Sequence, residues 1–369
     1  MVLRADATEV ERQGEGSVSE GSTRVEHEPG PRDGDAASPA SGDAGAASEE
    51  GAAPPDAAGD PAADEGAETS WWRGDLALRL GSSAVLIPFV LWTIAQGGLF
   101  YLGVVIAFGM LAQYEFYGLI IDKGARPIYS VGLGFGAAVI VVAHFGSSYQ
   151  AMLLMTASLL VLMVAQLGKN EIQEAMASIS GTFFGVFYVS WLLSHAVLLR
   201  KFDEVAANHY DPALLVTLNI APDVGVFLMV YTLVSVVGCD VGAYFAGRFW
   251  GRTKLAPQIS PNKSVEGALG GVIFGGLIGL ATKLVFDVFW PDWSAALPWS
   301  AALGFAFVLC IVGIIGDLVE SLLKRDAEVK DTGALLPGMG GVLDRVDAPL
   351  LGLPVMYYLM LAYLYFRAL

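Results

Sequence analysis

From about residue 80 to its end the chain is a succession of apolar runs divided by short polar connections. The runs fall near 81–96, 98–120, 128–146, 150–167, 178–199, 224–248, 267–289, 299–321 and 350–367. Most approach the ~20 residues that a helix needs to cross ~30 Å of hydrocarbon. The pattern predicts an all-α polytopic membrane protein with about nine transmembrane helices. The runs at 81–96 and 150–167 are short, and the one at 178–199 carries Ser, Thr, His and Tyr, which suits a tilted helix that faces lipid only in part. Trp71 and Trp72, just ahead of the first run, suit an interfacial anchor.

The first 70 residues do not follow this pattern, and composition explains why. The chain is 54% hydrophobic yet carries a formal charge of −16. Residues 1–70 hold 17 of the 37 acidic residues and four basic ones, whereas 71–369 hold 20 acidic and 17 basic. A segment so acidic and so poor in large apolar residues cannot offset chain entropy by burial, so 1–70 reads as a disordered acidic tail and 71–369 as the membrane domain. The tail has no basic region followed by an apolar one, unlike a signal peptide. The overall acidity argues against a nucleic-acid partner. Cys239 and Cys310 both fall inside apolar runs and read as small core residues, with no metal-ligand spacing around them.

Basic residues set an expected orientation. With the N-terminus inside, Arg73, Arg79, Lys123, Arg126, Lys169, Arg248, Arg252, Lys254, Lys263, Lys324, Arg325, Lys330 and Arg345 share one side. Only Arg200, Lys201, Lys283 and Arg367 fall towards the other. This is a positive-inside bias that puts the tail and the charged connections 249–266 and 322–349 in the cytoplasm. With no organelle-targeting segment in view, the expected location is the inner (cytoplasmic) membrane of a bacterium, multi-pass. Glycines inside the runs, as in 132–138 and 267–280, suit close helix packing, and such faces also suit a homodimer.

Charge where a membrane run ends is the feature that points to chemistry. Residues 317–347 read DLVESLLKRDAEVKDTGALLPGMGGVLDRVD. An acidic side chain within a span costs roughly 2.5–3.5 kcal/mol on insertion scales, so such residues are functional candidates by default. Asp317, Ser321 and Lys324 share one helical face with Glu320 beside them, and Asp344 and Asp347 share another. Gly338, Gly340 and Gly341 make the turn between them permissive. Asp317 and Asp344, from different helices, could converge on Mg²⁺, which takes one or two carboxylates plus substrate phosphates. The plain alternative is charge pairing within the segment, such as Asp344 with Lys324. A second constellation lies upstream. Asp240, Tyr244 and Arg248 recur at i, i+4 and i+8 along one stripe. After Pro257 and Pro261, the residues Ser260, Asn262, Lys263 and Ser264 gather donors suited to phosphate or sugar oxygens. An ordinary polar loop with snorkelling basic residues would also account for this segment.

Together these segments resemble the phosphatidate cytidylyltransferase family, also called CDP-diacylglycerol synthase. Its signature runs S-x-x-K-R-x4-K-D-x5-P-G-H-G-G-x-x-D-R-x-D. The chain has Ser321, Lys324, Arg325, Lys330, Asp331, Pro337, Gly338, Gly340, Gly341, Asp344, Arg345 and Asp347 at matching spacing. The upstream patterns match from Asp240 to Arg248 and from Pro257 to Gly267, and weaker similarity reaches back to about Arg79. The one departure is Met339, where the family has His. A thioether neither transfers protons nor donates a hydrogen bond to phosphate. The resemblance implies CTP and phosphatidic acid as substrates, CDP-diacylglycerol and pyrophosphate as products, and an active site at the cytoplasmic face of the C-terminal half. It also implies Mg²⁺ at Asp317 and Asp344, with a second cation such as K⁺ sharing the site. Lys324, Arg325, Lys330, Asp331, Arg345 and Asp347 would then be catalytic. Asp240, Tyr244, Arg248, Ser260, Asn262, Lys263, Ser264 and Ser321 would bind substrate.

Three other readings compete. An ion-coupled secondary transporter also has broken helices and intramembrane carboxylates, but its charges belong at mid-bilayer in both halves of a repeat. A related transferase could use another nucleotide or a polyprenyl phosphate. Met339 motivates a catalytically weakened homologue. The histidines 27, 144, 195 and 209 lie away from the charged connections. Glu115, near the inner end of the second run, is an intramembrane carboxylate that either bonds a neighbouring helix or belongs to the site.

Overall fold

The computed structural model describes residues 81–369 except 170–171, 334 and 336–339. The acidic tail, Trp71, Trp72, Arg73, Arg79, Pro337, Gly338 and Met339 therefore lie outside the described residues. Every apolar run is helical, as α1 Gly81–Gln96, α2 Gly98–Asp122, α3 Tyr129–Phe145, α4 Ser148–Leu167, α5 Ala175–Arg200, α6 Val224–Trp250, α7 Val265–Phe289, α8 Trp299–Asp326 and α9 Leu343–Ala368. Seven are long and apolar enough to cross a membrane, while α1 and α3 are shorter apolar helices. The protein is thus an all-α, multi-pass membrane protein whose long spans number seven among the described residues.

Several boundaries differ from those expected, each for a local reason. The short helix beside α1 is α3, not α4. Ser147 starts α4 ahead of its apolar run by a capping box, its Oγ accepting from Gln150 N while the Gln150 side chain accepts from Ser147 N. At the other end of the chain α8 continues to Asp326 and α9 begins at Leu343. The charged residues of the signature therefore ride on helical extensions of the apolar spans. Between α6 and α7 the chain forms a small antiparallel hairpin, β1 Lys254–Ala256 and β2 Ser260–Ser264, pairing Lys254 with Ser264 and Ala256 with Ser260. Within α5 a π-helical stretch, Val186–Trp191, adds a bulge in the middle of the span.

Polar ties hold the N-terminal helices together where lipid offers no partner. Gln113 Nε2 donates to Tyr117 Oη at 2.6 Å and to Gly132 O at 2.9 Å, and Ser190 Oγ donates to Gln113 Oε1 at 2.6 Å. Tyr117 Oη donates to Thr182 O at 3.0 Å, closing a network through α2, α3 and α5.

The C-terminal helices pack on small residues instead. A Cβ at Gly275 of α7 would lie 2.8 Å from Cys239 N and Ser235 O of α6 and 2.6 Å from Cys310 Sγ of α8. Cys239 and Cys310 are buried free thiols; Cys239 Sγ approaches Cys310 O at 3.6 Å and Cys310 Sγ approaches Ser235 O at 3.7 Å. This close approach sets the spacing of α6, α7 and α8, and so fixes where their polar ends meet.

Gly275→Val should lower thermal stability in detergent by about 1–3 kcal/mol through overpacking. Gly276→Val, facing open space one residue on, should leave it nearly unchanged. Equal stability of the two variants would show that the Gly275 contact does not set the packing.

Candidate active site

One end of α6, α7, α8 and α9 gathers the charged residues. Asp240, Tyr244 and Arg248 leave α6 on one stripe, and the hairpin folds back beneath them. Local bonds shape that return. Glu266, in the first turn of α7, accepts from Arg252 N at 3.0 Å and from Thr253 N at 3.0 Å. Val265 N donates to Thr253 O at 2.9 Å. Ser264 caps α7, its Oγ accepting from Gly267 N at 3.1 Å. Lys254 Nζ donates to Pro261 O at 2.7 Å. From α8, Arg325 Nε reaches Ile259 O at 3.4 Å.

A cavity of about 610 Å³ results, lined by Asp240, Tyr244, Arg248, Ser260, Asn262, Lys263, Ser264 and Asp317 with smaller apolar neighbours. Across it Lys263 Nζ of β2 stands 2.5 Å from Asp317 Oδ2 of α8, an ion pair whose ammonium lacks an aligned hydrogen bond. Asp240 feels the charges of Asp317, Asp347 and Lys263, so three carboxylates and one ammonium share this end of the bundle. Ser321 Oγ meets Asp317 Oδ1 at 3.4 Å, one helical turn on.

A second charged group joins α8 to α9. Lys324 Nζ lies 2.9 Å from Asp344 Oδ1 and 3.4 Å from Glu320 Oε2. Asp344 Oδ2 accepts from Gly341 N at 2.9 Å and from Thr332 N at 3.2 Å. Glu320 is 1% exposed and feels the charges of Asp347 and Lys324. Gly340 turns the chain with φ +84°, a left-handed conformation that favours glycine.

All of the residues expected to bind substrate line the cavity, apart from Ser321, which touches it through Asp317. Of the expected metal pair, Asp317 lines the cavity. Asp344 does not, and its oxygens are taken by Lys324 and two backbone N–H groups. The pairing of Asp344 with Lys324, the plainer alternative from the sequence, is present. Lys330, Asp331, Arg325 and Arg345 are exposed near the signature connection, and Asp347 is half-buried beside Glu320. Among the described residues no three His, Cys, Asp or Glu side chains form a ready metal cluster. The donors that share the cavity, Asp240 and Asp317, are hard carboxylate oxygens, and Mg²⁺ usually takes one or two of these plus substrate phosphates. The chemistry of the site therefore fits that ion to this extent.

One residue, Glu266, escaped sequence reasoning, and for Glu115, singled out as bonding a neighbouring helix or belonging to the site, the partner did. Glu266 fastens the hairpin; its signals were a place in the pattern matched from Pro257 to Gly267 and an acidic residue in the first turn of a helix. Glu115 reaches from α2 to the start of α9, where its Oε2 accepts from Leu343 N at 2.8 Å. Its signal was a carboxylate in an apolar run, which does not name a partner.

Comparison with known proteins bears on the whole membrane region. A profile described as the cytidylyltransferase family matches residues 77–363. A phosphatidate cytidylyltransferase of Bacillus subtilis is 35% identical over 196 residues, 49% of this chain and 69% of the relative. One of Synechocystis is 37% identical over 191 residues, covering 50% and 62% of the two chains. One of Pseudomonas aeruginosa is 44% identical over 135 residues, covering 37% and 48%. The chain thus spans between about half and two thirds of the length of these relatives.

Asp344→Ala should free Thr332 and Gly341 by removing the acceptor they share with Lys324. Limited proteolysis of the purified protein should then cut there faster than in the parent. An unchanged cleavage pattern would show that Asp344 does not hold these residues.

Proposed function

The chain belongs to the cytidylyltransferase family, and from that premise we propose that it transfers CMP from CTP to phosphatidic acid. The products are CDP-diacylglycerol, which stays in the membrane, and pyrophosphate. The observation that carries this reading is the cavity at the polar ends of α6, α7 and α8, where Lys263, Arg248 and Asn262 stand beside Asp240 and Asp317. Both reactants are polyanions, and one is anchored in lipid. A site that mixes cations with carboxylates at the end of membrane helices suits a nucleotide from water and a phosphate from the bilayer.

In this reading an oxygen of the lipid phosphate attacks the α-phosphorus of CTP, the bond from that phosphorus to the bridging oxygen breaks, and pyrophosphate departs. The phosphate monoester is already nucleophilic near neutral pH, so the reaction does not need a strong base at position 339. Asp240 and Asp317 would hold Mg²⁺, which when bound supplies positive charge to the CTP phosphate oxygens. Lys263, now paired with Asp317, would turn to the incoming phosphate. Ser260, Asn262 and Ser264 offer neutral donors to the remaining oxygens, and Tyr244 and Arg248 bound the cavity on the α6 side. Arg325, Lys330 and Arg345 are exposed cations suited to the triphosphate and to the charge growing on pyrophosphate. Lys324 is committed to Asp344 and Glu320, so its role is to join α8 to α9 beneath the site. The cytoplasmic side of a bacterial inner membrane suits this chemistry, because CTP is cytosolic and the basic residues favour that side.

With purified protein, phosphatidic acid, Mg²⁺ and α-³²P-CTP, label should enter a lipid-extractable product and be abolished by EDTA or by Asp317→Asn. Asp317→Asn with parental turnover at saturating Mg²⁺ would remove Asp317 from the metal role. Lys263→Ala should raise KM for at least one substrate by about tenfold, as expected for a lost charge-assisted hydrogen bond. Unchanged kinetics would take Lys263 out of the binding site.

A further inference from the structure

The start of α9, where the signature connection ends, is reached from the far half of the protein by a side chain of α2, that of Glu115. This residue lies on α2, is 5% exposed, and sits 228 positions before its partner in sequence. Its Oε2 accepts from Leu343 N at 2.8 Å. Leu343 opens α9, and the first turn of a helix leaves N–H groups without intrahelical partners. The residue in the capping position is Val342, which offers no side-chain cap. Glu115 therefore fills from another helix the role that Ser or Asp usually fills locally, and it brings a carboxylate to the positive end of α9.

The glycines around it point the same way. A Cβ at Gly333 would lie 2.6 Å from Glu115 Oε1, and a Cβ at Gly341 would meet Thr332 Oγ1 and lie 2.6 Å from Glu115 Oε2. Neither glycine has positive φ, so what they provide is room for the carboxylate. Glu115 thus sits against Gly333 and Gly341, the latter two residues before the helix that carries Asp344, Arg345 and Asp347. Behind it, Gln113 and Tyr117 of the same helix are tied to α3 and α5, so α2 offers a fixed base.

We propose that Glu115 is a positioning residue: by accepting from Leu343 N it fixes the start of α9, and through it the placement of Asp344, Arg345 and Asp347 against α8. Its effect on turnover rests on the cytidylyl-transfer reading; its effect on the start of α9 does not. A displacement of about 1 Å from a change outside the reacting groups can cost on the order of 10²-fold in rate.

The test pairs activity with hydrogen exchange on the full-length protein in detergent. Glu115→Ala should speed amide exchange across 340–347 by about tenfold or more while leaving exchange in 299–315 unchanged. It should lower kcat by about tenfold or more, with KM for CTP little altered. Glu115→Gln keeps an acceptor oxygen and should restore both readings towards the parent. Gly333→Ala, whose added methyl would meet the Glu115 side chain first, should reproduce the Glu115→Ala exchange pattern, and it decides the matter if Glu115→Ala does not fold. Parental exchange at 340–347 in Glu115→Ala, or in Gly333→Ala where that variant decides, would overturn the proposal. So would a Glu115→Gln variant as damaged as Glu115→Ala. Altered exchange in a protein whose parent transfers no label from CTP would leave the positioning role standing and sink the proposed reaction instead.

Discussion

Charge carried on membrane helices must find partners within the protein, and that constraint organises this end of the molecule. Glu320 is almost wholly buried on α8, where an unpaired carboxylate would cost several kcal/mol. Lys324, one turn further on, lies between Glu320 and Asp344. Asp344 in turn accepts two backbone N–H groups of the connection. The polar ends of α8 and α9 are thereby locked together, with Thr332 and Gly341 held against them. Pulling one member out would leave the others as buried charges without compensation, which is more damaging than losing the pair as a whole.

A different kind of contact sets the distance between α6, α7 and α8. Lipid tails are as apolar as leucine, so burial alone does little to hold helices together within a bilayer. Here the approach is allowed by glycine and by small side chains, with Gly275 against the backbone of Ser235 and Cys239. This packing brings Asp240 of α6 within the electrostatic reach of Asp317 of α8 and Asp347 of α9. The site therefore depends on missing side chains in the apolar layer as much as on the polar ones that line it.

The hairpin between α6 and α7 completes the cavity. It has no core of its own, since its residues are mostly exposed or half-buried. What holds it are the bonds from Glu266 to the 252–253 turn, the Ser264 cap, the Lys254 bond to Pro261 O and the ion pair of Lys263 with Asp317. The last of these joins the hairpin to the carboxylates and is the contact that an incoming phosphate would compete for in the proposed reaction.

The apolar runs determined by themselves that the protein is a multi-pass helical bundle, because a run of about twenty apolar residues has few alternatives to a spanning helix. The motifs were enough to point to the family by resemblance; helical periodicity placed Asp240, Tyr244 and Arg248 on one stripe, while Ser260 to Ser264 were marked only by their cluster of donors and prove to lie on β2. Helix ends were less legible: α4 starts at a cap and α9 starts among charges, where hydropathy is silent. Only the tertiary structure decided which partner each charge takes. Asp344 belongs with Lys324 and two backbone amides, Asp317 with Lys263 across the cavity, and Glu115 with the start of α9. A local pattern shows which face of a helix a side chain occupies; which other helix that face meets depends on packing between segments far apart in the chain.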